Sequence, residues 1–224
     1  AIPAKHKDLP VKVIAKGAFD GCTSLENVII PNSVTTIEEG AFAGCYSLKR
    51  MSIPFVGESR EEENSVFGYI FGKKSYPGSV GITQYPNGAK ADYWLPQNLI
   101  EVTVTDGDLN EGCFENCTRL KRIIYEGEAR RVEDRAFSGC VSLDEVKFVA
   151  GTVKKYGDRV FQNCTALDIY QLDNINEIGE YCFAGCIIEH LEIPDTLQYV
   201  GKGAFADCLY IKTVTIPGSV EKLS

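Results

Sequence analysis

The chain has 224 residues, of which 44% are hydrophobic and 24% are charged, a composition typical of a globular domain. Its net charge is −8, with 31 acidic against 23 basic residues. This balance argues against a nucleic-acid partner, because phosphate binding needs a surplus of Lys and Arg on some face. The sequence contains no run of apolar residues long enough to span a bilayer, so it predicts no membrane span.

The chain begins at Ala1–His6, which lacks the apolar run of a signal peptide. Its first and last segments resemble incomplete copies of an internal repeat. We therefore expect residues 1–224 to form a single solenoid that is truncated within a repeat at both ends, with the signal and anchor of the protein outside this stretch.

The repeat is marked by a Phe that is followed three residues later by a Cys. The seven pairs are Phe19/Cys22, Phe42/Cys45, Phe114/Cys117, Phe137/Cys140, Phe161/Cys164, Phe183/Cys186 and Phe205/Cys208. The steps between successive Phe residues are 23, 72, 23, 24, 22 and 22 residues. The step of 72 is close to three periods, so one longer segment interrupts an otherwise regular array.

After each Cys comes a segment with apolar residues in the order L-x-x-V-x-I. Such alternation is typical of a strand with one buried face. Leu25/Val28/Ile30 is one copy, and Leu99/Val102/Val104 fits without a preceding Phe-x-x-Cys, which gives eight predicted strands. Pro31 and Pro54 follow two of these strands and are expected to end them, because Pro has no N–H to donate to a ladder.

A unit of about 23 residues buries its apolar face only against neighbouring copies. The predicted fold class is therefore a leucine-rich-repeat solenoid: mainly parallel β, with short helical or irregular convex segments, and about eight coils with one long insertion. The insertion is predicted at residues 56–94, an aromatic-rich subdomain that includes Tyr69, Tyr76 and Trp94. Aromatic side chains have apolar area to bury, so we expect a hairpin or two packed against the solenoid.

The unit G-A-F-x-G-C-x-S-L-x-x-V-x-I-P-x-S-V, as read in Gly40–Cys45 and Ile30–Val34, resembles the BspA-like class of leucine-rich repeats. The resemblance covers nearly the whole chain. It departs from the pattern at Cys113 and Cys182, which replace Ala, and in the lack of Pro-x-Ser after Leu172. The resemblance implies a secreted or cell-surface bacterial protein that attaches to host matrix proteins or to other cells, and it implies no catalytic residues.

The sequence contains few residues suited to catalysis or cofactor binding. The chain has two His, His6 and His190, and no nucleophile–base set is recognisable. Seven of the nine Cys share one repeat position, so we expect a buried ladder in which each behaves as a small apolar residue. The two C-x-x-x-C pairs, Cys113/Cys117 and Cys182/Cys186, lack the four ligands of a zinc site. We therefore predict no catalytic, cofactor or metal site.

If the L, V and I positions of each strand point inward, the residues between them form two columns on the exposed sheet face. The candidate partner-binding residues are Arg50, Glu101, Arg122, Glu145, Ile169 and His190 in the first column, Ile124, Lys147, Gln171 and Glu192 in the second, and Tyr69, Tyr76 and Trp94 in the insertion. Charged residues mixed with exposed Ile favour a protein or glycan ligand, since a small molecule needs a concave apolar pocket.

Three functions remain open from the sequence. The first is a non-catalytic, monomeric adhesion module that binds a protein or glycan, including host matrix, through the sheet face or the insertion. The second is a structural scaffold or carbohydrate-binding region of a larger surface enzyme. The third is a hydrolase seated in the insertion, which the lack of a recognisable nucleophile–base set disfavours.

Overall fold

The computed structural model of the chain describes residues 1–61, 65–151, 153–168, 172, 174–220 and 222–223, without the side chains of the last two. It is a parallel β-solenoid of about eight coils with almost no helix. The predicted repeat solenoid is confirmed. The convex segments that carry each Phe and Cys are successive turns, in agreement with the irregular alternative.

Most strands are short, because each coil contributes only a few residues to each sheet of the solenoid. The strands are β1 Lys5–His6, β2 Leu9–Pro10, β3 Val13–Ile14, β4 Asn27–Ile29, β5 Thr36–Ile37, β6 Arg50–Ile53, β7 Ser79–Gln84, β8 Ala91–Pro96, β9 Glu101–Val104, β10 Arg122–Tyr125, β11 Arg131–Val132, β12 Glu145–Phe148, β13 Lys155–Tyr156, β14 Glu177–Ile178, β15 His190–Glu192, β16 Tyr199–Val200, β17 Thr213–Thr215 and β18 Lys222–Leu223. Two short 3-10 helices span Phe67–Phe71 and Pro86–Gly88.

Two parallel sheets run along the solenoid. The first has the order β4-β6-β9-β10-β12, and the second has the order β11-β13-β14-β16-β18. Strands β15 and β17 pair with each other as β3 and β5 do, while β1-β2 and β7-β8 are antiparallel hairpins. The first sheet lies in register from coil to coil, as in Arg50↔Glu101↔Arg122↔Glu145, so residues one repeat apart become neighbours.

The inward positions of the main strands form the core as predicted. Met51, Val102 and Ile123 are each at most 2% exposed. The last coil differs, since Val214 and Ile216 are 48% and 50% exposed. Strand β17 has one partner, β15, among the described strands, so these two side chains pack against a coil on one side only.

A stack of Phe rings runs through the core beside the Cys column. Rings of Phe114, Phe137, Phe161, Phe183 and Phe205 follow one another at centroid distances of 5.3–5.6 Å and within 9° of parallel. The thiols are also ordered from coil to coil: Cys140 Sγ donates to the Phe114 carbonyl at 3.1 Å, and Cys164 Sγ donates to that of Phe137 at 3.2 Å. All nine cysteines are free thiols, and eight of them are buried.

The residue before each repeat Cys adopts a left-handed conformation. It is Gly at four coils, such as Gly44 at φ 71°, Asn at Asn116 and Asn163, with φ of 59° and 60°, and Asp at Asp207, with φ of 57°. Asn is the side chain that tolerates this region best after Gly. The turn geometry therefore explains why this repeat position is occupied by Gly, Asn or Asp.

The buried thiols make stability sensitive to high pH. Burial raises the pKa of Cys45 to about 11 and that of Cys140 to about 12. Above the ordinary thiol pKa of about 8.5 the unfolded chain loses protons that the folded chain retains, so the unfolded state binds fewer protons and the free energy of unfolding falls as pH rises. We expect urea midpoints to decrease steadily from pH 8 to pH 10.5.

Replacing one thiol isolates its contribution to this trend. In Cys140→Ala the decrease should be shallower by up to about 1.4 kcal/mol per pH unit. Replacement of the exposed Cys22 is the matched control, because it removes a thiol that lies outside the buried column. Equal pH slopes for the unmodified protein and Cys140→Ala would show that this thiol also ionises freely in the folded state.

Candidate functional site

The first sheet presents a column of alternating charges to solvent. Arg50 Nε lies 3.5 Å from Glu101 Oε1, Arg122 Nη1 lies 3.1 Å from Glu101 Oε2, and Arg122 Nε lies 2.6 Å from Glu145 Oε2. We call these four residues the charge ladder. The carboxylates of Glu145 and Glu101 raise the pKa of the Arg122 guanidinium. The structure thus brings together four of the predicted residues, and their charges sum to zero.

Beside the charge ladder runs the second predicted column. Its register is Ile29↔Ser52↔Thr103↔Ile124↔Lys147. Ile29 is 54% exposed, Lys147 is exposed, and Ile124 is half-buried between Thr103 and Lys147. The face therefore combines fixed, paired charges with a strip of hydroxyl and aliphatic side chains.

The remaining sheet candidates lie further along the solenoid. His190 and Glu192 are exposed on β15 and pair in register with Thr213 and Thr215. His190 Nδ1 is 3.0 Å from Thr213 Oγ1. Ile169 and Gln171 lie outside the described residues. The two columns are therefore described up to β12 and again from β15.

Part of the predicted insertion continues the solenoid. In regular coils, the Phe N–H donates to the residue before the next Phe, as from Phe114 N to Ala136 O at 2.8 Å. The 3-10 helix performs both roles: Ile70 O accepts from Phe42 N at 2.9 Å, and Phe67 N donates to Cys113 O at 2.8 Å. The Phe67 ring also packs on Phe114 at 5.0 Å. Residues 67–71 are thus the convex segment of the third coil.

The additional structure is the hairpin β7-β8. Its inner face is anchored by Gln84, which is fully buried. Gln84 Oε1 accepts from Gly68 N at 2.8 Å, and its Nε2 donates to Glu115 O at 2.9 Å. These two bonds connect the hairpin to the third and fourth coils and satisfy the buried amide, which would otherwise be costly.

The three aromatic candidates of the insertion have different environments. Burial raises the pKa of Tyr69 to about 12, and a hydrogen bond to Glu58 acts in the same direction. The Tyr76 hydroxyl is buried without a hydrogen-bond partner among the described residues, and burial raises its pKa. Trp94 is half-buried and pairs across the hairpin with Gly81. All three side chains are half-buried, and the Tyr76 hydroxyl is the atom among them that is fully enclosed.

The hairpin residues that accompany Trp94 were missed by sequence reasoning. Thr83 Oγ1 donates to Asp92 Oδ1 at 2.6 Å across the same outer face. The signal was present, because two alternating runs flank the turn sequence Pro86-Asn87-Gly88, a pattern typical of a hairpin.

Within the described residues, no cluster of three or more His, Cys, Asp or Glu side chains is arranged to hold a metal ion. A search of the same residues for a long apolar helix that could cross a membrane found none.

Stacked coils, an inward apolar column and an in-register parallel sheet define a repeat solenoid. The BspA-type leucine-rich-repeat region is matched by six copies over residues 6–74 and 97–212, and the chain belongs to this family. The unmatched stretch between them contains the hairpin β7-β8 and excludes the 3-10 helix Phe67–Phe71. The family match and the backbone ladder therefore agree on where the hairpin interrupts the third coil.

Solved structures of bacterial repeat proteins are similar to this chain. A leucine-rich repeat protein from Bacteroides ovatus is 20% identical, with a TM-score of 0.46, over 95% of this chain and 62% of its own. A leucine-rich cell surface protein from Faecalibacterium prausnitzii is 18% identical, with a TM-score of 0.42, over 88% of this chain and 48% of its own. The chain thus spans between about half and two thirds of these proteins. No curated protein matches the sequence.

Proposed function

We propose that this chain is a non-catalytic binding module of a surface-exposed bacterial protein, and that its first sheet recognises a protein or glycan partner. The observation that carries this proposal is the charge ladder beside the second column of exposed side chains. In a solenoid, such a sheet is an extended surface suited to a macromolecular ligand. Membership in the BspA-type family supports a surface role.

The pairing of opposite charges in the charge ladder favours recognition by direct contact over long-range electrostatic attraction. Each charge in the ladder already has an opposite partner in the next coil, so the face has little net field to steer a charged ligand. A partner would lie across several coils and use the exposed Ile29, the hydroxyls of Ser52 and Thr103, and the polar edges of the ladder. Host matrix proteins and surface glycans are the partner classes we propose, with the module acting as a monomer.

The alternative is a scaffold or carbohydrate-binding region of a larger surface enzyme. The hairpin β7-β8 supports this alternative, because it lies outside the solenoid pattern and carries the half-buried Trp94 on its outer face. In that case the sheet face would bind nothing and the catalytic residues would belong to other parts of the protein.

The sheet face is tested by Arg122→Glu combined with Ile124→Asp. The first change places three carboxylates side by side, and the second puts a charge into the half-buried strip. We expect binding to an array of extracellular matrix proteins and glycans to fall at least tenfold, because like charges and an unpaired carboxylate oppose contact. Surface plasmon resonance on each immobilised ligand measures the change.

A matched control carries the same two kinds of change outside the first sheet, Arg131→Glu on β11 with Val13→Asp on β3, both at exposed positions. This control should bind like the unmodified protein. If both double variants bind alike, the sheet face is not the recognition surface. If the unmodified protein binds no member of the array, the scaffold alternative is favoured.

A further inference from the structure

The two faces of the hairpin β7-β8 differ sharply. Ile82, Gln84, Tyr93 and Leu95 are buried, whereas their neighbours Gly81, Thr83, Asp92 and Trp94 are half-buried or exposed. This alternation follows from the period of two along a strand. The inner face attaches the hairpin to the solenoid. The four outer side chains make no contribution to that buried interface, so packing does not explain their chemistry.

Trp94 lies flat across the strand opposite. A Cβ added to Gly81 would be 3.3 Å from Cη2 and Cζ3 of the Trp94 ring and 3.5 Å from its Cε3. Three nearly equal distances mean that the ring covers Gly81 with one face. A larger residue at 81 would lift the ring, so the missing side chain permits the flat arrangement, and the other ring face is directed away from the strand.

The neighbouring cross-strand pair supplies polar groups next to the ring. Thr83 Oγ1 donates to Asp92 Oδ1 at 2.6 Å, which leaves Asp92 Oδ2 and the lone pairs of the hydroxyl to accept further hydrogen bonds. Asp92 and Trp94 are two residues apart on one face, which places them about 7 Å from each other. That spacing is comparable to the breadth of a pyranose ring with its hydroxyl groups.

We propose that the outer face of the hairpin, made of Trp94 on Gly81 together with Thr83 and Asp92, is a subsite for a neutral pyranose sugar. The C–H face of a pyranose packs on the electron-rich face of an aromatic ring, and its hydroxyls donate to a carboxylate in charge-assisted hydrogen bonds. The carboxylate of Asp92 disfavours an acidic sugar through like-charge repulsion. This surface is separate from the first sheet, so each proposal is tested without the other.

The single Trp of the chain makes the subsite directly observable. Titration with neutral hexasaccharides of glucose, mannose, galactose and xylose should produce a saturable change in Trp emission with at least one of them. A hexasaccharide of galacturonic acid should produce a weaker change. Saturable protection of Trp94 from acrylamide quenching by the same sugar should accompany the change.

Two outer-face variants locate the binding. Asp92→Ala should weaken affinity about tenfold or more, the effect expected when hydrogen bonds to a charged group are lost, while Asp195→Ala, at another exposed position, should leave affinity unchanged. Trp94→Ala should abolish binding by calorimetry. If Trp94→Ala does not fold, Asp92→Ala still decides, because its exposed side chain has no core to disturb.

The proposal is overturned in either of two cases. One is the absence of a saturable response with all four neutral sugars. The other is binding that is equally strong in Asp92→Ala and Asp195→Ala, which would place the sugar elsewhere on the molecule. Loss of sugar binding in Asp92→Ala, with the first sheet still active in the matrix array, would establish two independent binding surfaces.

Discussion

Phe137→Ala is expected to lower the free energy of unfolding by about 3–5 kcal/mol, the range seen when a buried Phe is truncated. The Phe137 side chain is fully buried. Its ring stacks on Phe114 at 5.6 Å and on Phe161 at 5.4 Å, within 8° and 7° of parallel. Removal of the ring leaves a cavity between two rings that are held by their own coils, so the surroundings cannot collapse to fill it.

The effect should spread along the solenoid from this coil. Each coil contacts only its neighbours, so stability depends on the interfaces between adjacent repeats. Hydrogen exchange should show faster opening at the amides of β10 and β12, which flank the altered turn, before it does so at β4. Urea unfolding monitored by circular dichroism measures the total loss.

The same substitution near the end of the stack is the matched control. Phe205 occupies the equivalent repeat position but has one stacked ring beside it among the described residues, Phe183 at 5.6 Å, and it is only partly buried. Phe205→Ala should therefore cost clearly less than Phe137→Ala. Equal losses at the two positions would mean that ring stacking does not determine the interface energy.

The fold was predictable from the sequence because one short pattern recurs. A Phe, a Cys and three apolar strand positions repeat at intervals of 22–24 residues, and only stacking satisfies all of them at once. The sheet register follows from the same count, which is why Arg50, Glu101, Arg122 and Glu145 were expected in one column. Their ion pairs require side-chain geometry and became visible only in the structure.

The third coil shows where pattern reasoning stops. Phe67 takes the place of a repeat Phe without the accompanying Cys. In the 3-10 helix the N–H donor to the next coil, on Phe67, and the carbonyl acceptor from the previous coil, on Ile70, are three residues apart. A template built on Phe-x-x-Cys therefore places these residues in the insertion. The buried Gln84 is likewise invisible to a pattern of apolar positions, since its partners are the backbone groups of Gly68 and Glu115.

Gly179→Ala is the second large effect, with an expected loss of about 3 kcal/mol, at the upper end for overpacking. Gly157, Gly179 and Gly201 follow strands β13, β14 and β16 and continue their ladder: Gly179 N donates to Tyr156 O at 2.9 Å, and Gly201 N donates to Ile178 O at 2.8 Å. The three glycines thus lie one above another in adjacent coils.

The contact is with backbone, which explains the size of the effect. A Cβ on Gly179 would be 2.4 Å from both the carbonyl carbon and the carbonyl oxygen of Gly157. A flexible side chain could move aside, but here a hydrogen-bonded coil must shift. The backbone of Gly179 is outside the left-handed region, so the loss measures the contact between coils and not backbone strain.

Gly218→Ala is the control, because among the described residues no atom beyond its chain neighbours lies within 4 Å of its added Cβ, and its φ is likewise outside the left-handed region. It should change stability by no more than about 0.5 kcal/mol. Thermal and urea unfolding of the two variants, with exchange rates at β13 and β14, test the comparison. A Gly179→Ala protein as stable as Gly218→Ala would mean that adjacent coils separate at little cost, and that glycine at this position is not needed for their close approach.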